Sequence, residues 1–146
     1  ANTTANEVTA VGKSALGANT TGEGNTGLGK SAMEDNTTGS YNVGVGLNAL
    51  SNNTTGGDNT AVGVNALLYN TGADNTAVGR SALTANTSGV SNTAVGWESL
   101  VACTTGNNNT AVGKRSLDAL TTGSSCTAVG ERALTAATGN DNVGVG

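Results

Sequence analysis

The chain has 146 residues, of which 23 are Gly, 11% are charged and 2% are aromatic, with no Pro, Phe or His. So few large residues exclude a conventional globular core, and the missing His removes the commonest general base and metal ligand. The net charge of −4 disfavours nucleic acid as a partner. No apolar run approaches the roughly 18 residues of a membrane span, and Ala1 begins no signal peptide.

An internal repeat organises the whole chain. A Val-Gly or Leu-Gly pair recurs every 16 or 17 residues, with its glycine at Gly12, Gly29, Gly46, Gly63, Gly79, Gly96, Gly113, Gly130 and Gly146. The unit reads approximately Asn-Thr-Ala-Val-Gly-x-x-Ala-Leu-x-x-Asn-Thr-Thr-Gly-x-x. Both 16-residue units lose one residue at the Thr-Thr step, near Thr71 and Thr138, which marks that step as a turn.

Each unit begins with Thr-Ala-Val-Gly, an alternating pattern typical of a β-strand. Because Val43 and Val143 replace the Thr, we predict that the Thr/Val side is buried and that the Ala/Gly side meets another backbone or sheet. The predicted core ladder has a strand column and a second column from the Ala-Leu pairs. The strand column is Val11, Leu28, Val45, Val62, Val78, Val95, Val112, Val129 and Val145. The second column is Leu16, Met33, Leu50, Leu67, Leu83, Leu100, Leu117 and Leu134.

The Asn-Thr-Thr-Gly segment that follows predicts a turn, with Gly supplying a positive φ. Glycine in both halves of every unit argues against helices. We therefore predict an all-β chain, a parallel β-solenoid or β-roll of about eight to nine coils with two short strands in each coil. Residues 1–146 form one repeat domain without evident caps, so the chain is either an excerpt of a longer fibre or a subunit that stacks into a filament.

Asparagines in the turns form columns that allow two interpretations. Asn2, Asn19, Asn36, Asn53 and Asn86 each begin a glycosylation sequon. The alternative is a ladder of stacked amides that satisfies the turn backbone, which we favour because Cys103, Leu120 and Ala137 continue the same column.

The two cysteines, Cys103 and Cys126, occupy asparagine positions on either side of a turn in adjacent coils. They are either a disulfide that joins neighbouring coils or two small buried thiols, and the sequence leaves both open. Two cysteines without histidine make a poor metal site, and the acidic residues lack the spacing of calcium-binding β-rolls. We expect no metal and no cofactor.

The charged residues have fixed places in the repeat. Lys and Arg follow the repeat glycine by one or two residues, as at Lys13 and Arg80, whereas Glu7, Asp58 and Asp74 precede the strand. These positions predict solvated edges that keep the molecule soluble.

The segment Asn59-Thr60-Ala61-Val62-Gly63, followed by Ala66-Leu67, resembles the repeats of trimeric autotransporter adhesin heads, and similar repeats occur in phage tail fibres and other surface fibres. In that adhesin family the repeats form a left-handed parallel β-roll with three chains side by side. The resemblance implies a trimer, with the Ala/Gly face as the candidate for chain–chain contact. The 17-residue period is longer than the family's usual unit.

We expect no enzyme, because the chain offers no nucleophile–base pair and no carboxylate dyad. The favoured function is an extracellular structural fibre or filament segment, on a cell surface or a virion or secreted, that self-associates and mediates surface attachment. Its partners would be further copies of itself and a surface receptor or glycan. The alternative is an ice-binding solenoid that uses stacked turn threonines such as Thr38 and Thr55. A glycan-binding adhesin head is a third reading, for which the sequence shows no groove.

Overall fold

A computed structural model describes residues 5–146 of the chain. Its nine strands have three residues each and form a single parallel sheet in chain order. They are β1 (Thr9–Val11), β2 (Thr26–Leu28), β3 (Val43–Val45), β4 (Thr60–Val62), β5 (Thr76–Val78), β6 (Thr93–Val95), β7 (Thr110–Val112), β8 (Thr127–Val129) and β9 (Val143–Val145). Equivalent residues pair in register, so that the chain is a parallel β-solenoid and the predicted fold class is confirmed.

We call one strand and its connection to the next strand a coil. The eight coils span residues 9–25, 26–42, 43–59, 60–75, 76–92, 93–109, 110–126 and 127–142. The register is unchanged across the shorter coils 4 and 8, where Thr60 pairs with Thr76 and Thr127 with Val143. The missing residue is therefore absorbed outside the strands, as the sequence predicts.

Each coil of the described chain contains one strand, and the prediction of two strands per coil is wrong. After the strand, the chain passes through residues with positive φ, such as Ser31 (φ 55°) and Met33 (φ 54°). Left-handed residues break the extended geometry that a second strand needs. The backbone still pairs between coils, since Leu16 N donates to Ala32 O at 3.0 Å and Ser31 N donates to Lys13 O at 2.8 Å.

The interior of the solenoid is lined by the Ala/Gly side of the strands, so that the predicted orientation of the strands is wrong. The middle residue of β2 to β8 is buried, whereas the strand column of the predicted ladder faces outward and is exposed or half-buried. The incorrectly assigned residues are Val11, Leu28, Val45, Val62, Val78, Val95, Val112, Val129 and Val145. The second column is correct. Leu16, Met33, Leu50, Leu67, Leu83, Leu100 and Leu117 are buried, and Leu134 packs against them partly buried.

The strand orientation follows from the space inside a coil. The leucine column projects toward the strand from the opposite wall, and a Cβ added to Gly44 would lie only 2.8 Å from Cγ of Met33. At Gly27 the corresponding distance to Cγ of Leu16 is 3.2 Å. Because one large side chain faces the strand in each coil, the strand must contribute Ala or Gly at that point and direct its Val outward.

The two glycine columns have different causes. The repeat glycine needs its conformation, as at Gly63 (φ 136°), where a side chain would also crowd Gly79 of the next coil. The turn glycine does not have a positive φ, contrary to the prediction. It is required by close approach, since a Cβ on Gly39 would overlap the carbonyl oxygen of Gly56.

Candidate functional site

The outward side of the sheet is a regular surface that runs along all nine strands of the described chain. We name it the Thr/Val face, formed by the first and third residues of β1 to β9. The third position is Val or Leu in every strand, and Val62 and Val78 are each 37% exposed. Leu47, Val64 and Trp97, just beyond the strands, are also exposed. Nine strands spaced about 4.8 Å apart extend this face over about 38 Å.

Charges of opposite sign border the Thr/Val face. Exposed acidic residues precede the strands at Asp58 and Asp74, and exposed basic residues follow them at Lys30, Arg80 and Lys114. The acidic positions have positive φ, as in Asp58 (φ 58°), a conformation that short polar side chains tolerate better than most. The face therefore has a mainly acidic border before the strands and a mainly basic border after them, with Glu131 after β8 as an exception.

Inside the turns, the asparagine just before each strand forms the most continuous polar column. Asn42 N donates to Asn25 Oδ1 at 2.9 Å, and Asn42 Nδ2 donates to Gly56 O at 2.9 Å. The same bonds recur at Asn59, Asn75, Asn92 and Asn109. These side chains are fully buried, and each one supplies the amide oxygen that accepts a hydrogen bond from the backbone N–H of the next coil.

The other asparagine column contains the predicted sequons, and its described members are buried in the same way. Asn36 Nδ2 donates to Asn19 Oδ1 at 2.8 Å and to Gly39 O at 2.9 Å. Asn19, Asn36, Asn53 and Asn86 have no exposed surface. A glycan would replace an Nδ2 hydrogen bond inside the turn, so that these four residues fit the favoured ladder interpretation and not the glycosylation interpretation. Asn2 lies outside the described residues.

This column is interrupted at two places, and each interruption leaves an amide oxygen without a donor. Among residues 5–146, Asn53 Oδ1 has no partner, because Asn70 in the shortened coil 4 donates to Gly72 O instead, at 2.8 Å. Asn86 Oδ1 has no partner in this part of the chain either, because the next residue in the column is Cys103. Both oxygens are buried, so both interruptions cost hydrogen-bond energy.

Cys103 and Cys126 are free and buried, which corresponds to the second of the two interpretations left open. Cys126 Sγ lies 3.2 Å from Gly139 O, and Cys103 Sγ lies 3.8 Å from Gly106 O. Burial raises the pKa of the Cys103 thiol, although a backbone hydrogen bond with Gly106 opposes the shift, and the neighbouring Cys126 raises that pKa further. Both thiols thus act as small fillers of asparagine positions.

In most turns the first threonine uses its hydroxyl group within the fold. Thr37 Oγ1 donates to Thr54 O at 2.9 Å, and Thr87 Oγ1 donates to Thr104 O at 3.0 Å. By contrast, the hydroxyl groups of Thr76 and Thr93 on the Thr/Val face have no partner within the described residues. Among the described residues, free hydroxyl groups therefore lie both on the strands and at the second threonine of the turns, as in Thr38 and Thr55.

A cluster of charged residues marks coils 6 to 8. Arg115 Nε donates to Asp118 Oδ2 at 2.9 Å and lies 3.8 Å from Glu98 Oε2. Lys114 Nζ lies 3.0 Å from Glu131 Oε1 and 5.3 Å from the ring centroid of Trp97. Beside this cluster is an open cleft of about 500 Å³, lined by Arg115, Asp118, Ala119, Arg132 and Thr135.

Sequence reasoning missed this cleft, although a signal for it exists. Two residues after the repeat glycine, coils 1 to 5 have Ser or Asn, whereas coils 6 to 8 have Glu98, Arg115 and Arg132. In the sequence these three residues resemble ordinary charged surface residues. Comparing the columns coil by coil would have shown that long charged side chains replace short ones only here.

Comparisons with known proteins point to no further site. No family model, no curated protein and no solved structure matches this chain. Within residues 5–146, no helix is long and apolar enough to cross a bilayer. The same residues contain no group of three or more metal-binding side chains. The resemblance to adhesin repeats therefore rests on the motif alone.

Proposed function

We propose that the chain is a segment of an extracellular structural fibre, in which copies lie side by side and associate through the Thr/Val face. The observation that carries the proposal is the unbroken outward column of Val and Leu, from Val11 to Val145. A strip about 38 Å long and about 10 Å wide corresponds to roughly 400 Å², within the size range of the largest surface patch of a monomer, which is often functional. Burying it against another copy removes apolar surface from water.

The charged borders favour one orientation of the copies. When two copies point the same way and are rotated about a common axis along the solenoid, the acidic border of one meets the basic border of the other. When the copies point in opposite directions, borders of like charge meet. The proposal therefore specifies parallel association, which also aligns the coils of neighbouring chains along a fibre that holds a surface-binding element at a distance.

Sedimentation velocity with a pair of matched variants tests the association. Val78 lies on the face and Val90 lies in a turn, and both are 37% exposed. We expect the unaltered chain to sediment as an oligomer, Val78→Lys to reduce its mass, and Val90→Lys to leave it unchanged. A monomeric unaltered chain, or equal effects of the two variants, contradicts the proposal.

Carbodiimide cross-linking tests the orientation. Parallel copies place Lys13 and Lys30 of one copy near acidic residues of the same end of another, such as Glu7 and Glu23. In a mixture of isotopically light and heavy chains, we expect mixed cross-links between these residues. Cross-links that join opposite ends of the solenoid would exclude the parallel arrangement.

A second candidate, ice binding, is favoured by one observation on the same face. The free hydroxyl groups of Thr76 and Thr93 and the methyl groups of Val78 and Val95 form regular rows on in-register strands. Such a repeating surface is suited to ordering water against a lattice. This function requires the face to stay uncovered, and therefore a monomer. Thermal hysteresis that is lost in Thr76→Lys and retained in the turn variant Thr105→Lys would favour ice binding over the fibre.

A further inference from the structure

The cleft in coils 7 and 8 lies where the sequence departs from its own backbone preference. The position two residues after the repeat glycine has a positive φ, 57° in Ser81, 57° in Arg115 and 59° in Arg132. Ser and Asn, which fill it in coils 1 to 5, suit this conformation better than long side chains. The two arginines therefore carry a local conformational cost that the fold does not require, which is a mark of functional positions.

The two guanidinium groups are only partly occupied. Arg115 uses Nε for Asp118 at 2.9 Å, and no bond of its terminal nitrogens is present within the described residues. The Arg132 side chain has no hydrogen bond or ion pair in that same part of the chain. The small side chain of Ala119 also lines the cleft, whose volume of about 500 Å³ is that of a small-molecule site.

The lining combines an anion-binding part with a hydroxyl-binding part. Guanidinium groups bind carboxylates through paired hydrogen bonds, and Arg115 and Arg132 come from adjacent coils about 4.8 Å apart. The Asp118 carboxylate accepts hydrogen bonds from hydroxyl groups, and the Thr135 hydroxyl both donates and accepts. A ligand that satisfies this lining carries one carboxylate and several hydroxyl groups.

We propose that the cleft binds an acidic saccharide unit, a sugar bearing a carboxylate. Its carboxylate lies between Arg132 and the terminal nitrogens of Arg115, and its hydroxyl groups face Asp118 and Thr135. This goes beyond the fibre function and does not depend on it, because none of these residues belongs to the Thr/Val face.

Titration calorimetry of the full chain with glucuronate tests the proposal, with glucose and sulfate as comparison ligands. The variant Arg132→Ser introduces the residue found at the same position in coil 5, and Arg80→Ser is the matched control outside the cleft. We expect glucuronate to bind the unaltered chain, at least tenfold weaker binding to Arg132→Ser, and unchanged binding to Arg80→Ser. Glucose should bind much more weakly, because it lacks the carboxylate.

Three results would overturn the proposal. Glucuronate fails to bind the unaltered chain, or sulfate binds as tightly as glucuronate, which makes the cleft a general anion site. Alternatively, Arg80→Ser weakens binding as much as Arg132→Ser, which reduces the effect to net charge. Circular dichroism of both variants verifies that the solenoid is intact, and sedimentation velocity verifies that the oligomeric state is unchanged.

Discussion

Coils 1 to 5 and coils 6 to 8 share one backbone but fill their turns differently. In coils 1 to 5 both turn columns are asparagine, and their buried amides bond from coil to coil except between Asn53 and Asn70. In coils 6 to 8 one column contains Cys103, Leu120 and Ala137, and Cys126 interrupts the other. The sheet register is the same in both regions. The pairing of the backbone therefore determines the shape of the coil. The interior of the turn accepts either a ladder of polar side chains or small and apolar side chains.

The same division appears on the outside of the molecule. The three ion pairs found among residues 5–146 all involve coils 6 to 8, and the cleft lies there too. Lys114 and Glu131 are largely exposed, so that their pair contributes little to stability. The C-terminal coils thus differ from the others in chemistry and not in architecture.

The largest predicted effect breaks the ladder in the region where it is complete. Asn42→Leu removes four hydrogen bonds, two with Asn59, one with Asn25 and one with Gly56, and leaves Asn59 N buried without an acceptor. We expect the free energy of unfolding to fall by about 2–4 kcal/mol. Urea denaturation measures this.

Asn52→Leu is the control for that variant, because Asn52 is exposed in the next coil. We expect it to change stability by no more than about 0.5 kcal/mol. Equal losses in the two variants would mean that the buried ladder contributes nothing specific.

A smaller effect, of opposite sign, extends the ladder into the C-terminal coils. Cys103→Asn supplies an amide donor for the unpartnered Asn86 Oδ1 and for Gly106 O, as Asn86 itself does with Asn70 and Gly89. We expect stabilisation by about 1–2 kcal/mol in urea denaturation. Cys103→Ala provides no donor and should not stabilise. If Cys103→Asn is no more stable than Cys103→Ala, the missing donor is not the cause of the difference between the regions.

The smallest predicted effect is a dependence of the free energy of unfolding on pH, produced by the Cys103 thiol of the C-terminal coils. Because burial raises the pKa of the Cys103 thiol, the unfolded chain loses this proton at a lower pH than the folded chain. The stability of the protein should therefore be unaffected by this thiol below about pH 8 and decrease as pH rises through the ordinary thiol range near 8.5. Thermal unfolding of the unaltered chain and of Cys103→Ala, below about pH 8 and above the thiol range near 8.5, measures this loss of stability. An identical alkaline loss in both proteins would show that another group is responsible.

Much of the fold was predictable because the repeat is nearly exact. The recurring glycine and the confined deletion at Thr71 predicted coils of 16 or 17 residues that stack in register. The leucine column was predictable too, since a large apolar residue occupies the position of Leu67 in every coil. The stacking of asparagines followed from the same register.

The orientation of the strands was not predictable in this way. Alternation in Thr60-Ala61-Val62 distinguishes two faces but does not say which is inside, and the usual preference for buried valine points the wrong way. The cleft was missed because Arg115, Asp118 and Arg132 come from two coils and are combined only when these stack. Their separate positions in the sequence resemble ordinary surface charges.

By itself the sequence determined the period, the parallel stacking and the identity of the stacked columns, because a repeat of nearly constant length puts equal residues at equal places in every coil. Only the tertiary structure decided which side of the strand is interior. That choice depends on the width of the coil, since Met33 and its equivalents leave space for no more than a methyl group opposite them. The same narrowness turned the valines outward and produced the face on which the proposed association depends.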